Sequence, residues 1–167
     1  MVFVTLGTQN QSFERLLKEI ESCKVLNNEE IIAQVGYTKF VSEKIKTIDF
    51  LDEEEFNRYI EKCEFVITHG GVGSIFSSLL KGKKVIAMPR IKKYGEHVDD
   101  HQIEICEKLA SLDYIVYYNP DKFESEESPP TLEQKINFLR SNVFQPYIED
   151  TSYLNKLDKC IENFLVD

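Results

Sequence analysis

The sequence predicts an α/β fold in which a parallel β-sheet carries helices on both faces. Short apolar runs alternate along the chain with longer segments whose apolar residues recur at helical spacing. The short runs are apolar throughout, which is typical of strands that are buried on both faces. With 167 residues, 42% hydrophobic and 29% charged, the composition predicts one globular domain over residues 1–167.

The elements up to residue 63 follow in order from the apolar pattern. Residues 2–6 predict a first strand, and a helix follows with Ser12 as its N-cap, because a serine hydroxyl can accept a hydrogen bond from a free backbone N–H. Residues 31–35 predict the second strand and residues 45–51 a weaker third. The acidic run at residues 52–55 favours the start of a second helix, since it complements the helix dipole. The apolar faces of these helices comprise Phe13, Leu16, Leu17 and Ile20 in the first, and Phe56, Tyr59, Ile60 and Cys63 in the second.

The rest of the chain continues the alternation. Residues 65–68 predict the fourth strand, residues 74–81 a helix and residues 84–88 the fifth strand. A helix at residues 99–110 and a sixth strand at residues 114–118 complete the sheet. The remaining segments are a surface loop at residues 121–130 and helices at residues 132–139 and 153–165.

Net charge and cysteine spacing argue against several classes of function. The net charge of −9 argues against nucleic acid as a partner, because neutralising phosphates needs a basic face, and against docking of the whole surface to anionic lipid. Cys23, Cys63, Cys106 and Cys160 form no C-x-x-C pair, so neither a zinc site nor a redox motif is indicated. The pattern shows no signal peptide and no membrane-spanning run, and we expect a cytoplasmic protein with reduced core thiols.

A glycine-rich turn follows the fourth strand. Gly70, Gly71 and Gly73 precede Ser74 and a new helical pattern. Glycine lets a ligand approach the backbone, and a helix N-terminus offers free N–H groups, so this junction can hold an anion. The turn matches neither the G-x-G-x-x-G dinucleotide fingerprint nor the loop that ends in Gly-Lys-Ser/Thr, and taken alone it favours a structural turn.

Two further polar segments lie beside predicted strand ends. Gly7 and Thr8 follow the first strand, where ligands gather in open α/β sheets, or they form a plain turn. Residues 94–102 open a helix with carboxylates, imidazoles and an amide. His97 and His101 are four residues apart, a spacing that metal ligands on one helix face can have, but no H-E-x-x-H pattern is present. The alternatives are a capped helix start and the recognition of sugar hydroxyls by carboxylate and amide groups.

A basic stretch lies between residues 81 and 93. It contains no acidic residue, in a chain whose net charge is −9. A solvated basic face is the default interpretation. Beside a phosphate-binding turn, the same charges would stabilise a diphosphate. The basic residues are Lys81, Lys83, Lys84, Arg90, Lys92 and Lys93.

Taken together, these segments resemble the C-terminal domain of family 28 glycosyltransferases, which is the donor-binding half of a GT-B enzyme. The resemblance covers residues 1–118 and rests on four motifs in matching order. They are VTLGT at residues 4–8, VITHGGVGS at residues 66–74, GKKVIAMPR at residues 82–90 and DDHQ at residues 99–102. Within the family, the chain is similar to the soluble subunits of bacterial capsule and exopolysaccharide glycosyltransferases, and to the soluble subunit of the eukaryotic dolichol-linked N-acetylglucosaminyltransferase.

The resemblance implies a Rossmann-like domain that binds a UDP-sugar for an inverting transfer, with no cofactor and no metal ion. It places Gly70, Gly71, Gly73 and Ser74 at the diphosphate, with Gly7 and Thr8 as a second phosphate-side loop. It places Gln102 at the donor sugar with Asp100 and His101 nearby, Arg90 on the uracil side, and His69 at the phosphate or the strand end. The general base stays unassigned, with His69 and His101 as candidates.

The chain departs from the family at one position. Many members carry a ribose-gripping glutamate three residues after the serine of the glycine turn, and Ser77 stands there. This departure keeps open a non-catalytic accessory subunit that stabilises or stimulates a glycosyltransferase partner. A nucleotide-sugar epimerase of GT-B architecture is a third alternative, but it needs two such domains in one chain.

The length of the chain matches one half of a GT-B enzyme. From the resemblance we expect a membrane-anchored second subunit that carries the other half and recruits this chain to the inner face of the membrane. The resemblance favours UDP-galactose or UDP-N-acetylglucosamine as donor, leaves UDP-glucose open, and implies a lipid-linked saccharide acceptor in polysaccharide biosynthesis. The helices within residues 131–167 dock to that partner or fold back on the domain.

Overall fold

The computed structural model describes residues 1–123, 130–142 and 144. Within them the chain forms a six-stranded parallel sheet with helices on both faces, which confirms the predicted fold class. The strands are β1 (Val2–Thr5), β2 (Ile31–Gln34), β3 (Ile45–Ile48), β4 (Phe65–His69), β5 (Lys84–Met88) and β6 (Val116–Tyr117). The α-helices are α1 (Glu14–Ser22), α2 (Glu53–Lys62), α3 (Val72–Leu79), α4 (His101–Ser111) and α5 (Leu132–Ser141).

The strand order β3-β2-β1-β4-β5-β6 determines where a ligand can bind. The chain winds outward from β1 to β3, returns to β4 beside β1, and then winds in the opposite direction. In open parallel sheets, the loops that leave two strands at such a reversal point diverge and open a crevice at the carboxyl ends. Thr5 pairs with Thr68 across this point. The topology therefore places the loops that carry Gly7 and Gly70 side by side.

Both faces of the sheet are covered, as the uninterrupted apolar strands predict. On one face, α1 and α5 pack against the sheet, and Phe13, Leu17 and Ile136 belong to the same buried cluster as Val4. On the other face, α2 packs beside Phe3, and α3 and α4 pack beside the neighbouring strands. All four residues of β1 are buried. The sheet is thus a rigid support for the loops at its carboxyl edge.

The predicted starts of the first two helices have different outcomes. The prediction of Ser12 as the N-cap of α1 is wrong, because the N-cap is Phe13 and no side chain caps the helix. Phe13 is buried in the core, and its backbone N–H donates to Thr38 Oγ1 at 3.0 Å, so core packing determines where the helix begins. The acidic start of α2 is confirmed, since Asp52 Oδ1 accepts a hydrogen bond from Glu55 N at 2.7 Å.

The helix after the glycine turn begins earlier than predicted. α3 starts at Val72, two residues before the predicted start, with Gly71 as its N-cap. Gly73 and Ser74 therefore belong to the first helical turn, where backbone N–H groups have no partner within the helix. α4, in contrast, begins at His101, after its predicted start at residue 99.

The basic residues at the start of β5 lie at the amino edge of the sheet, away from a phosphate at the glycine turn. The strand runs from the amino edge to the carboxyl edge, so Lys83 and Lys84 lie opposite the turn. Lys83 Nζ donates to the carbonyls of Glu61 and Cys63 at the end of α2. Lys84 Nζ donates to carbonyls at the end of α5. These ammonium groups stabilise helix C-termini, which leave carbonyls unpaired.

Some expectations fall outside the part of the chain that the structure describes, including the helix at residues 153–165 and Cys160. The helix predicted at residues 132–139 is confirmed as α5. Within the described ranges, no helix combines the length and the apolar composition that crossing a bilayer requires. Cys23, Cys63 and Cys106 are buried and free.

Candidate functional site

A cavity of about 390 Å³ opens at the carboxyl ends of β1, β2 and β4. Small-molecule sites commonly enclose roughly 300–1,000 Å³, so the cavity is large enough for a ligand. Six residues predicted to contact the donor line it, namely Gly7, Thr8, His69, Gly71, Gly73 and Ser74. Six further lining residues carry no recognised motif and were not predicted, namely Gln34, Phe50, Leu51, Asp52, Glu53 and Phe56.

The N-terminus of α3 forms one wall of the cavity. Its N-cap, Gly71, has no side chain, and no other described side chain caps this end of the helix. The first-turn N–H groups of Val72, Gly73 and Ser74 are therefore left for a ligand. Together with the helix dipole, these donors favour an anion at this wall.

His69 lies between the two glycine loops. A Cβ at Gly7 would lie 2.6 Å from the His69 ring, and a Cβ at Gly71 would lie 2.1 Å from its Nε2. The backbone of Gly7 also has a φ of +73°, which favours glycine. Both loops thus require glycine because they enclose an imidazole that is only 7% exposed.

The electrostatics of His69 suit a neutral hydrogen-bonding group. Burial, with a further contribution from the charge of Arg90, lowers the pKa of His69 to about 4. Its Nδ1 lies 3.2 Å from Thr68 Oγ1, and a hydrogen bond with the backbone of Thr5 raises its pKa by less than burial lowers it. A neutral imidazole that lines the cavity beside the N-terminus of α3 can form a hydrogen bond with a polar ligand there.

Gly70 and Gln102 hold α4 against the sheet. A Cβ at Gly70 would lie 2.7 Å from Gln102 Cβ and 3.0 Å from Cys106 Sγ, so this glycine permits close packing of the helix. Gln102 is buried, and its Oε1 accepts hydrogen bonds from the backbone N–H groups of Gly70 at 3.0 Å and Arg90 at 3.1 Å. Neither Gly70 nor Gln102 lines the cavity, and the assignment of Gln102 to the donor sugar stays a prediction.

Arg90 is buried and bonded to the backbone. Only 1% of it is exposed. Its Nη2 donates to Leu6 O at 2.7 Å, and its Nη1 donates to Gln11 O at 2.7 Å and Glu96 O at 3.1 Å. Its guanidinium also lies 4.9 Å from the centre of the Phe13 ring. Arg90 therefore ties the loop after β5 to the loop after β1, and its side chain does not line the cavity.

Asp100 is the N-cap of α4 and His101 is its first residue, and neither lines the cavity. Asp100 Oδ1 accepts a hydrogen bond from Lys92 N at 2.8 Å, which holds the loop after β5. The side chain of His101 is 64% exposed, with Nδ1 3.6 Å from Glu104. In the described part of the chain, no group of three or more His, Cys, Asp or Glu residues is arranged to hold a metal ion.

The opposite wall of the cavity is aromatic and acidic. Phe50 and Phe56 line it, and each ring meets another aromatic ring edge to face. Asp52 and Glu53 add carboxylates at the N-terminus of α2. The cavity thus has an anion-binding wall at α3 and an apolar wall with carboxylates at β3 and α2.

The sequence of this chain matches a known protein family over nearly its whole length. The model of the glycosyltransferase family 28 C-terminal domain matches residues 1–161. The chain belongs to this family. The predicted resemblance is therefore confirmed, and it extends beyond the residues on which the motifs lie.

Two curated relatives of this family 28 domain carry the name UDP-N-acetylglucosamine transferase subunit ALG13. The relative from Candida albicans is 29% identical over 130 residues, which covers 78% of this chain and 38% of the relative. The human relative is 29% identical over 160 residues, which covers 86% of this chain and 14% of the relative. The chain thus spans well under half the length of either relative.

Solved structures agree with the fold of this family 28 domain. The glycotransferase of kitacinnamycin superposes with a TM-score of 0.61 at 16% identity, over 84% of this chain and 35% of that chain. A solution structure of ALG13 superposes with a TM-score of 0.50 at 20% identity, over 88% of this chain and 96% of that chain. At these identities the likeness establishes the fold alone.

The buried imidazole of His69 makes stability depend on pH. The fold lowers its pKa from 6.5 to about 4, so its neutral form is the one that the native state favours. The resulting stabilisation is fully present above pH 6.5 and is lost as the pH falls towards 4, because the unfolded chain then binds the proton more tightly. At about 1.4 kcal/mol per pH unit, we expect a loss of about 2–3 kcal/mol between pH 7.5 and 4.5.

The variant H69Q isolates this effect, because glutamine does not titrate. Urea unfolding at both pH values should show that the wild type loses about 2–3 kcal/mol more than H69Q. All other titrating groups are common to both chains. Equal losses in the two proteins would contradict a buried neutral imidazole.

Proposed function

We propose that this family 28 domain binds a UDP-sugar and is the donor-binding, catalytic half of an inverting glycosyltransferase. The observation that carries the proposal is the cavity with two unlike walls. The α3 N-terminus and His69 suit a diphosphate, and Phe50 and Phe56 suit a planar base. A nucleoside diphosphate has both groups, which simple phosphate or a free sugar lacks.

Sugar transfer requires stabilisation of the negative charge on the leaving diphosphate, and the N-terminus of α3 can provide it. An acceptor hydroxyl attacks the anomeric carbon of the donor, the bond from that carbon to the diphosphate oxygen breaks, and its electron pair leaves with UDP. Backbone N–H groups and the dipole of α3 stabilise the charge that develops on the leaving diphosphate. A base must take the proton of the acceptor hydroxyl.

The relatives support a choice of donor and a division of labour. Two of them are named as subunits of a UDP-N-acetylglucosamine transferase. We therefore favour UDP-N-acetylglucosamine over UDP-galactose and UDP-glucose as the donor for this chain. We also propose that a second, membrane-anchored subunit supplies the site for a lipid-linked saccharide acceptor and recruits this domain to the membrane.

An accessory role without catalysis is the second candidate, and Ser77 favours it. The family's ribose-gripping glutamate is absent at this position of α3. Two other acidic residues, Asp52 and Glu53, line the cavity, and carboxylates can accept hydrogen bonds from ribose hydroxyls, so the absence of the glutamate does not exclude a ribose contact. The donor-binding role therefore remains our proposal.

A transfer assay separates the two candidates. Membranes from cells that lack the chain are supplied with one of three purified proteins: the wild type, the variant G71A, or the control variant N137D. N137D changes an amide to a carboxylate at an exposed position of α5. Labelled UDP-N-acetylglucosamine, UDP-galactose and UDP-glucose are compared, and label in the lipid fraction is counted. We expect wild type and N137D to restore transfer from UDP-N-acetylglucosamine, and G71A to be at least about 100-fold less active.

The outcomes discriminate between the roles. Full restoration by G71A, with the chain itself still required, would indicate an accessory subunit and contradict a donor site at the glycine turn. Restoration with UDP-galactose alone would overturn the choice of donor and leave the donor site intact. Co-sedimentation of G71A with the membranes checks that this variant is folded and recruited.

A further inference from the structure

Gln34 is a buried polar side chain that the proposed diphosphate contacts leave unused. It ends β2, lines the cavity and is 5% exposed. Its Oε1 accepts a hydrogen bond from the backbone N–H of Leu51 at 3.1 Å. Because a backbone N–H can only donate, the atom that faces Leu51 must be the amide oxygen, and this assigns the orientation of the side chain.

The amide nitrogen of Gln34 is therefore a donor without an acceptor. Among the described residues, none accepts a hydrogen bond from its Nε2. In the described part of the chain, the fully buried side-chain nitrogen and oxygen atoms without a hydrogen-bond partner are Gln11 Oε1 and Arg90 Nε. Nε2 of Gln34 is not among them, so this unpaired nitrogen is accessible from the cavity and not enclosed in the core. A buried amide donor that lines a cavity can donate a hydrogen bond to an acceptor atom of a bound ligand.

The surroundings of Gln34 fit a planar ring with a carbonyl group. Phe50, Leu51 and Phe56 line the same cavity as Gln34. The Phe50 ring lies 5.2 Å from the Tyr37 ring and the Phe56 ring 5.4 Å from the Phe3 ring, so aromatic neighbours support both. Apolar walls with one directed polar group are typical of sites that select a small heterocycle.

The spacing of the strands matches a nucleoside diphosphate. Gln34 ends β2 and the glycine turn follows β4, with β1 between them. Neighbouring strands lie about 4.8 Å apart, so the two groups are separated by roughly 10 Å across the sheet edge. A base at Gln34 and a diphosphate at α3 are therefore compatible with one extended ligand.

We infer that Gln34 selects uracil by donating a hydrogen bond from Nε2 to the C4 carbonyl of the base. This inference rests on the proposed UDP-sugar function, in which Gln34 is the residue that distinguishes uracil from other bases. The edge of uracil that lies farthest from the ribose carries this carbonyl and enters the cavity deepest. Cytosine carries an amino group there, and two donors that face each other repel.

The test compares nucleotides on the full chain by calorimetric titration. The variant Q34E keeps an acceptor for Leu51 N–H and loses the donor. We expect the wild type to bind UDP more tightly than CDP, and Q34E to bind UDP roughly 10- to 100-fold more weakly. CDP should lose less or gain, because the new carboxylate accepts a hydrogen bond from the cytosine amino group. Pyrophosphate, which needs only the α3 wall, should bind equally to both proteins.

The control variant N137D adds the same charge on α5, away from the cavity, and should behave as wild type. An unchanged ratio of UDP to CDP affinity in Q34E would overturn the inference. A wild-type chain that is folded but binds no nucleotide would instead overturn the proposed function. If Q34E loses pyrophosphate binding as well, the uncharged variant Q34M replaces it in the titrations. A Q34M protein that still prefers UDP to CDP would contradict the inference.

Discussion

Replacing Gly71 with alanine is expected to destabilise the fold by about 1–3 kcal/mol and to weaken UDP binding by about 100-fold or more. The added Cβ would lie 2.1 Å from His69 Nε2. The backbone of Gly7 also approaches the ring closely, since a Cβ built there would lie 2.6 Å from it, and this leaves the ring little room to move. The clash must therefore displace the glycine turn itself, which carries the proposed diphosphate donors.

Gly73 offers a matched control for the effect on folding. It lies two residues further along in the same helical turn, and a Cβ there would meet no atom within 4 Å. The variant G73A should be as stable as the wild type or up to about 1 kcal/mol more stable, since alanine favours a helix over glycine. Urea unfolding measures both variants.

The cause of the G71A effect can be tested by a double variant. If the imidazole is what the new methyl group meets, the stability cost of G71A should shrink in the background of H69A, giving a non-additive pair. An additive double variant, or a G71A protein as stable as G73A, would contradict the packing of His69 between the two loops.

Replacing Arg90 with methionine is expected to lower the free energy of unfolding by about 3 kcal/mol. The change leaves three backbone carbonyls, those of Leu6, Gln11 and Glu96, without their donor. Methionine recovers part of the packing against Phe13 but none of these hydrogen bonds. Since Leu6 directly precedes Gly7, we also expect R90M to weaken UDP binding.

The matched control for this prediction is R58M. Arg58 is an exposed residue of α2 that pairs with Glu55 at 3.3 Å. Loss of an exposed ion pair should change stability by less than about 0.5 kcal/mol. Unfolding of the two variants in urea measures the difference, and an R90M protein as stable as R58M would show that the buried guanidinium does not hold the two loops.

The sheet and the position of the site could be predicted because both depend on local signals. Uninterrupted apolar runs indicate buried parallel strands, and glycines at the ends of two strands indicate loops at the sheet edge. The start of α3 was less predictable. Ile75 and Leu79 mark the apolar face of the helix but carry no signal for its first turn, which contains a glycine.

The roles of polar side chains near the site depend on contacts that local patterns do not contain. Arg90 follows a strand end and suggests a ligand contact, yet its acceptors Gln11 and Leu6 are 79 and 84 positions away in the chain. Gln34 carried a usable signal that was not recognised, namely a lone amide that ends an otherwise apolar strand at the carboxyl edge. Its partner Leu51 became visible only in the fold.

The measurement that tests the central claim most directly is a titration of the full chain with UDP, followed by nuclear magnetic resonance of the backbone amides. If the α3 N-terminus holds the diphosphate, the amide signals of Gly71, Val72, Gly73 and Ser74 should shift with UDP and with pyrophosphate. Uridine, which has no phosphate, should shift signals near Leu51 and leave these four unchanged. Absence of any shift at the four amides in the presence of UDP would contradict the placement of the diphosphate at the glycine turn.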